Sequence, residues 1–257
     1  MKKLYKHLLN TLPRPLLIRL SYVFRVFAPL VYKGNKVDCP VCEKSFKKFL
    51  SYGSKVAHRD NVLCPYDLTL ERHRLMWVYL KDKSNFFTEE KLKVMHIAPE
   101  QCFYSKFKKQ NNLEYTTGDL LSPLADIHFD LHKIPLEDNQ YDVIFCNHVL
   151  EHVEDDHKCM TELHRIMKSG GWGIFQVPID TSRTETYEDA SITSPEEREK
   201  HFWQYDHVRL YGLDYPGKLE AAGFEVEVYD YHRDLPKEQY EKYRFHADEL
   251  LYIVKKK

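Results

Sequence analysis

Tyr141-Asp-Val-Ile-Phe-Cys146, followed by Asn147-His-Val-Leu-Glu-His152, is the stretch on which the fold turns. The first six residues are mostly apolar, as a short buried strand requires, and the polar group after them stands where that strand ends. Val153 to Met167 carries a helical pattern, and Lys168-Ser-Gly-Gly171 breaks it. Trp172-Gly-Ile-Phe-Gln-Val-Pro178 then supplies a second strand. Alternation of strand and helix predicts parallel strands joined by crossovers, a sheet that binds ligands beyond the carboxyl ends of its strands. Asn147, His148, Glu151 and His152 fall at such an end and are candidates to face a cofactor or substrate.

The same alternation extends outward. Lys93-Val-Met-His-Ile-Ala98 reads as a first strand, Pro99-Glu-Gln-Cys102 as the turn after it, and Phe103–Gln110 as a helix. Leu113–Asp119 is a second strand ending in an acid. A carboxylate there can accept both hydroxyls of a ribose, or can simply cap a solvent-exposed turn. Ala125–His132 reads as a third strand, and Lys133–Asn139 leads to Tyr141. Downstream, Glu225–Tyr231 and Glu249–Lys255 read as the last two strands. The insertion Asp180–Tyr205, with its acids, threonines, Trp203 and Tyr205, follows a strand at the ligand-bearing edge and is placed to shape a pocket.

These segments resemble the class I S-adenosylmethionine (SAM)-dependent methyltransferases of type 11. The likeness rests on Tyr141–Val153, on Arg165-Ile-Met-Lys-Ser-Gly-Gly171, on Ile134-Pro-Leu136, and on Val208–Gly212 with Leu219–Phe224. A bacterial subgroup with His-Ile-Ala-Pro-Glu-Gln at 96–101 and an N-terminal Cys-Pro-x-Cys head is similar over nearly the whole chain. The resemblance implies an α/β, Rossmann-like sheet of seven strands in the order 3-2-1-4-5-7-6, the seventh antiparallel. It implies SAM as cofactor, held by Ala98, Pro99, Glu100, Gln101, Asp119, Asp130, Leu131, Asn147 and His148. Asp130 takes the place of the acid that reads the adenine amino group, and Leu131 lies beside the ring. Serine stands where proline is usual before Gly170. His96 stands for the family's acid, and Ala98 and Glu100 stand for its glycines, which normally admit close backbone approach. A degenerate fold without catalysis is therefore the alternative. A sulfonium methyl needs alignment and desolvation, and a base only when the acceptor is a hydroxyl or amine. His148 and His152 are the candidate bases, His207 the third. The spacing of these histidines and carboxylates fits no particular metal site.

Charge divides the chain. Residues 1–59 hold thirteen Lys and Arg against only Asp38 and Glu43; of the 38 basic and 39 acidic residues in all, 25 and 37 remain for the rest. Three parts follow: a basic, apolar helical arm (1–37), a zinc-ribbon-like module with a connecting helix (38–80), and the methyltransferase domain (84–257). Leu4, Tyr5, Leu8, Leu9 and Leu12 recur at helical spacing, and Pro15 is placed to open a second helix over Leu16–Tyr32. An apolar helix with Arg19 and Arg25 and no acid can lie in an anionic membrane surface through residues 1–32, its arginines snorkelling outward, or can pack as a lid or dimer contact. Cys39-Pro-Val-Cys42 and Cys64-Pro-Tyr-Asp67 have the layout of a structural zinc site, with Asp67 in place of a fourth cysteine and His58 or His73 as alternative ligands. The cysteines form no disulfide framework, and neither a signal peptide nor a membrane span is evident. The expectation is a cytoplasmic protein, peripheral to the inner face of the membrane. The methyl acceptor is unidentified, with a glycan or lipid-linked intermediate favoured over ribosomal RNA, or over a non-enzymatic adaptor role.

Overall fold

The computed structural model describes residues 12–53, 58–246 and 249–257. The helical spacing expected of Leu4, Tyr5, Leu8 and Leu9 lies outside the described residues. The elements begin with α1 (Arg14–Tyr32), β1 (Lys33–Cys39), β2 (Lys44–Phe46), β3 (Leu50–Tyr52), β4 (Arg59–Leu63) and α2 (Glu71–Asp82). Next come β5 (Leu92–Ile97), α3 (Gln101–Phe107), β6 (Leu113–Asp119), β7 (Ile127–His128), β8 (Tyr141–Asn147), α4 (Asp156–Ile166) and β9 (Met167–Gln176). The last are β10 (Tyr187–Glu188), α5 (Pro195–Phe202), β11 (Arg209–Leu210), α6 (Tyr215–Ala221), β12 (Glu225–Tyr229), α7 (Lys237–Tyr243) and β13 (Leu251–Lys255). Two compact units result, Met1–Trp77 with Leu235–His246, and Val78–Asp234 with Ala247–Lys257.

In the first unit β1 pairs with β2 and β3 with β4, both antiparallel, making two short hairpins. Val37, Val41, Phe46, Phe49, Val62, Leu70, Leu75, Met76 and Trp77 are among its buried residues, a small core. A charged side chain does part of the work instead. Arg74 is fully buried; its Nε donates to Tyr243 O at 2.7 Å, and its Nη1 donates to Val62 O at 2.8 Å and Thr69 O at 2.9 Å. The guanidinium also lies 4.5 Å from the Phe49 ring centroid. Helix α1 opens with proline in its first turn, as its sequence predicts. It leaves Leu16, Leu20, Val23, Phe24, Val26, Phe27, Leu30 and Val31 exposed. Arg25 Nε donates to Tyr66 O at 2.6 Å. Among the described residues no helix is long and apolar enough to cross a membrane.

The second unit is built on a seven-stranded sheet in the order β7-β6-β5-β8-β9-β13-β12. Counted within the sheet, this is 3-2-1-4-5-7-6. β7, β6, β5, β8 and β9 run parallel, and β13 pairs antiparallel with both β9 and β12. β5 and β8 are buried almost throughout, as central parallel strands covered on both faces must be. Helix α4 starts at Asp155, whose side chain accepts from Lys158 N, and buries Cys159, Met160, Leu163 and Ile166 on one stripe.

Several expected boundaries move, three of them for a visible reason. The Lys168–Gly171 segment is part of β9 rather than a free turn, since Gly170 N donates to Lys256 O and Lys256 N donates to Gly171 O. The expected third strand Ala125–His132 shrinks to β7, because Asp126 caps Thr117 and Asp130 turns the chain at His132. The strand from Glu225 stops at Tyr229, where Asp230 accepts from His232 N and starts a 3-10 turn.

Candidate active site

Sheet register brings three candidate cofactor residues into one row. Ile97 pairs with Gly118 on one side and Cys146 on the other, so the next residues, Ala98, Asp119 and Asn147, stand side by side at the carboxyl edge of β5, β6 and β8. Two non-glycine residues at that edge have positive φ, Ala98 at 48° and His148 at 55°. Each left-handed residue costs about 1–2 kcal/mol. The chain thus keeps at Ala98 a backbone conformation that glycine would take without strain, and strain of this kind concentrates at functional sites.

His96 and Glu100, which replace an acid and a glycine of the resembled family, are partners. His96 is fully buried; its Nε2 meets Glu100 Oε2, and its Nδ1 lies 2.7 Å from the Tyr115 hydroxyl. Burial, reinforced by the Glu100 charge, pushes the Tyr115 phenol up. Asn147 Nδ2 donates to Glu100 Oε1 at 3.2 Å. A hydrogen-bonded line therefore crosses β6, β5, α3 and β8. Only Glu100 and Asn147 of this line were legible as site residues; His96 was noted as a departure and Tyr115 was missed.

Asp119 is half-buried, and its Oδ1 accepts from Leu121 N and Ser122 N, both at 2.7 Å. Oδ2 accepts no bond among the described residues. Pro99 is buried, and Gln101 opens α3. Asp130 is exposed and tied to His132, whose N and Nδ1 lie 2.9 and 2.7 Å from Oδ1; the backbone and imidazole bonds from His132 hold its carboxyl below the usual range. Leu131 is buried in the core with Met95, Ile97 and Phe129.

All three candidate histidines meet around Glu151. The turn after β8 is clamped by Arg209, which is buried and donates to Leu150 O at 2.7 Å, Glu154 O at 2.8 Å and Val153 O. Val208 N donates to Glu151 O at 2.9 Å, which carries His207 to the same place. The His152 and His207 rings are 4.7 Å apart, edge to face. His207 is buried with Nδ1 2.9 Å from Phe202 O, so Nδ1 carries the proton and Nε2 is left with a lone pair. Burial holds the His207 imidazole below its usual range. Glu151 is buried, and neither carboxylate oxygen accepts a hydrogen bond; His148 Nδ1 lies 3.2 Å from Oε1 without hydrogen-bond alignment. Burial pushes the Glu151 carboxyl up, but His148 and His152 outweigh it and hold it below its usual range. Trp203 and Tyr205 of the insertion are exposed, and β10 of that insertion pairs with β11.

The first unit gathers a second cluster. Cys39, Cys42, Cys64 and Asp67 offer ligand atoms all within 4.8 Å of one another. Cys42 Sγ and Cys64 Sγ are 3.9 Å apart, and Cys39 Sγ lies 3.4 Å from Asp67 Oδ2. Ligands around one tetrahedral zinc at about 2.3 Å stand roughly 3.8 Å apart, so the donors need little movement. The two turns are built alike. Glu43 N donates to Cys39 O and Leu68 N to Cys64 O, and Glu43 and Leu68 have φ of 57° and 61°. Asp67 thus occupies in the second turn the place Cys42 occupies in the first. Its Oδ1 accepts from Thr69 N and Thr69 Oγ1 at 3.1 and 2.7 Å, which fixes the carboxylate. Burial, with the nearby Cys39 charge, pushes the Asp67 carboxyl up to about 6. Although burial disfavours the Cys39 thiolate, bonds from Cys42 and Cys64 and the Arg74 charge hold Cys39 well below the usual thiol range. The alternative ligands are elsewhere. His73 Nδ1 accepts from Leu70 N at 3.0 Å, and His58 is an exposed partner of Asp60.

Residues 84–175 match the family described as the methyltransferase domain, and no curated protein matches the chain. Among solved structures, a SAM-dependent methyltransferase from Archaeoglobus fulgidus is 16% identical at a TM-score of 0.46, over 72% of this chain and 94% of that one. The cyclase SpnF is 13% identical at 0.47, over 92% and 94%. The YcgJ protein of Bacillus subtilis is 12% identical at 0.41, over 72% and 99%. The matched family and the sheet order give this chain the fold of SAM-dependent methyltransferases.

Proposed function

We propose that this chain is a SAM-dependent methyltransferase whose cofactor lies along the row Ala98, Asp119 and Asn147. That row at the carboxyl edge of three adjacent parallel strands is the observation that carries the reading. When bound, SAM supplies a methyl group already activated by its sulfonium. Asp119 Oδ2 accepts from the ribose hydroxyls, and Glu100, held by His96 and Asn147, faces the cofactor's ammonium. Pro99, Gln101, Asp130, Leu131 and the His148 backbone complete the proposed contacts. A hydroxyl or amine acceptor gives its proton to one of His148, His152 and His207, whose Nε2 atoms are not tied to carboxylates. Calorimetry with SAM and with S-adenosylhomocysteine tests this. Micromolar binding is expected; a folded protein that gives no heat at millimolar ligand is instead a degenerate fold without catalysis.

The expected catalytic domain of residues 84–257 gives up residues 235–246 to the first unit; the second unit is the catalytic part, and the module of residues 38–80 a support. Cys39, Cys42, Cys64 and Asp67 would hold one structural zinc, whose chemistry is to cross-link a segment with little core rather than to catalyse. Elemental analysis of protein purified without chelator should find it, and removal should lower the melting temperature. The proposed acceptor is a glycan or lipid-linked intermediate at an anionic membrane. What supports it is the exposed apolar run of α1 in an arm without acids before Asp38. Flotation with phosphatidylglycerol vesicles should recover the chain and fail after deletion of residues 1–32. Binding to ribosomal RNA that falls steeply with salt, without flotation, would instead place the acceptor on RNA.

A further inference from the structure

We propose that Glu151, His152 and His207 form a second metal site, open to solvent, that holds a first-row divalent cation. Their ligand atoms all lie within 4.8 Å of one another. Three groups each about 2.1 Å from a common ion stand roughly 3.4 Å apart in a tetrahedral shell, so a closing movement of about 1 Å, shared between the side chains, brings them onto one ion. Neither Glu151 oxygen accepts a hydrogen bond although the side chain is 1% exposed. Its one close partner, His148 Nδ1 at 3.2 Å from Oε1, lacks hydrogen-bond alignment, and an ion would satisfy both oxygens of this buried carboxylate.

The histidines are prepared in the way metal ligands are. His207 Nδ1 is spent on Phe202 O at 2.9 Å, and His152 Nδ1 lies 3.2 Å from Asp206 O and 3.5 Å from Asp206 Oδ2. A ligating imidazole characteristically donates its other N–H to a carbonyl or carboxylate, which fixes the tautomer and points the lone pair at the metal. Arg209 holds the Leu150, Val153 and Glu154 carbonyls, so the turn presenting Glu151 and His152 is rigid before any ion arrives.

Two imidazoles and one carboxylate suit zinc, manganese, iron or cobalt better than magnesium or calcium, which favour all-oxygen shells. The donor set differs from the thiolate cluster of Cys39, Cys42 and Cys64, so the two sites should select different ions. Three protein ligands leave coordination positions open to an oxygen of water or of the acceptor. A bound hydroxyl becomes more acidic there. Resting on the methyltransferase reading, this assigns the acceptor to the hydroxyl class and leaves His148 as the histidine free to take its proton. The O–CH3 bond then forms as the S–CH3 bond breaks, with the electron pair remaining on sulfur.

Manganese(II) is the probe, because it binds oxygen and nitrogen donors and competes poorly for thiolates. Electron paramagnetic resonance of the full chain titrated with Mn²⁺ should show one bound ion. Binding should weaken at least tenfold in Glu151→Gln and in His207→Ala, and persist in Cys42→Ser. His152→Ala, at a partly exposed position, gives the same reading should the buried substitutions impair folding. Bound Mn²⁺ should also enhance the relaxation of bulk water protons, as open positions require. Folded protein that leaves Mn²⁺ free, or that binds it equally well in the Glu151, His152 and His207 variants, overturns the site. Bound Mn²⁺ without water relaxation would make it a closed structural ion and overturn the acceptor role. SAM binding is measured separately and without metal, so either failure leaves the cofactor reading standing.

Discussion

Replacing Asp119 by asparagine separates its two oxygens. Oδ1 holds the turn after β6 through Leu121 N and Ser122 N, while Oδ2 has no protein donor and is the atom assigned to the ribose. Asparagine retains an acceptor for the turn but puts an NH2 donor where the ribose hydroxyls would donate. One to two charge-assisted hydrogen bonds are lost, at about 1.5–3 kcal/mol each. The expected loss is therefore about 3 kcal/mol, which is roughly a 150-fold weaker dissociation constant. The turn should lose less than about 1 kcal/mol, since it keeps both bonds in neutral form. Calorimetric titration with S-adenosylhomocysteine measures the first quantity, and urea unfolding the second. An Asp119→Asn protein that is folded and binds within threefold of wild type would refute the assignment, and with it the row at the sheet edge as the cofactor cradle. A variant that loses affinity only because it loses several kcal/mol of stability would place Asp119 in the turn instead.

Asp156 should govern part of the acid limb. Burial pushes its carboxyl up, but Arg209, the Tyr211 hydroxyl at 2.7 Å and Lys218 outweigh this and depress it. A depressed carboxyl contributes stability above its unfolded pKa of about 4 that is lost as pH falls below it. Asp156→Asn should cost about 3 kcal/mol at pH 7 and flatten the acid limb; equal stability profiles would refute this. In Gly173→Ala the new Cβ would stand 2.3 Å from Ile144 O, on the backbone of the neighbouring strand. The β8–β9 pairing must then shift, at about 3 kcal/mol by chemical unfolding. Arg74→Met strands the carbonyls of Val62, Thr69 and Tyr243, and should cost about 4 kcal/mol while lowering zinc retention. A change under about 1 kcal/mol would show that the buried guanidinium is not what ties that unit together.

The sequence by itself determined the sheet. β5 and β8 are short apolar runs because a parallel strand covered on both faces must be apolar throughout, and that pattern survives in one dimension. The repeated Cys-Pro turns were equally legible, since all four donors of that cluster come from two local motifs. Strand ends were less legible. β7 and β12 stop where Asp126, Asp130 and Asp230 cap backbone groups, and side-chain capping competes with pairing in ways that periodicity does not record. Three decisions belonged to the tertiary structure alone. His96 and Glu100, separate departures along the chain, become one hydrogen-bonded pair because a strand and the start of the helix after it face each other across a turn. Residues 235–246 join the first unit through Arg74, a contact for which no local pattern exists. His148, Glu151 and His152 have no metal spacing of their own. His207 completes the group from far along the chain, because Arg209 and Val208 bond to the carbonyls of the turn that carries them. Local order is written in periodicity; a site assembled from distant segments is written only in the hydrogen bonds that bring them together.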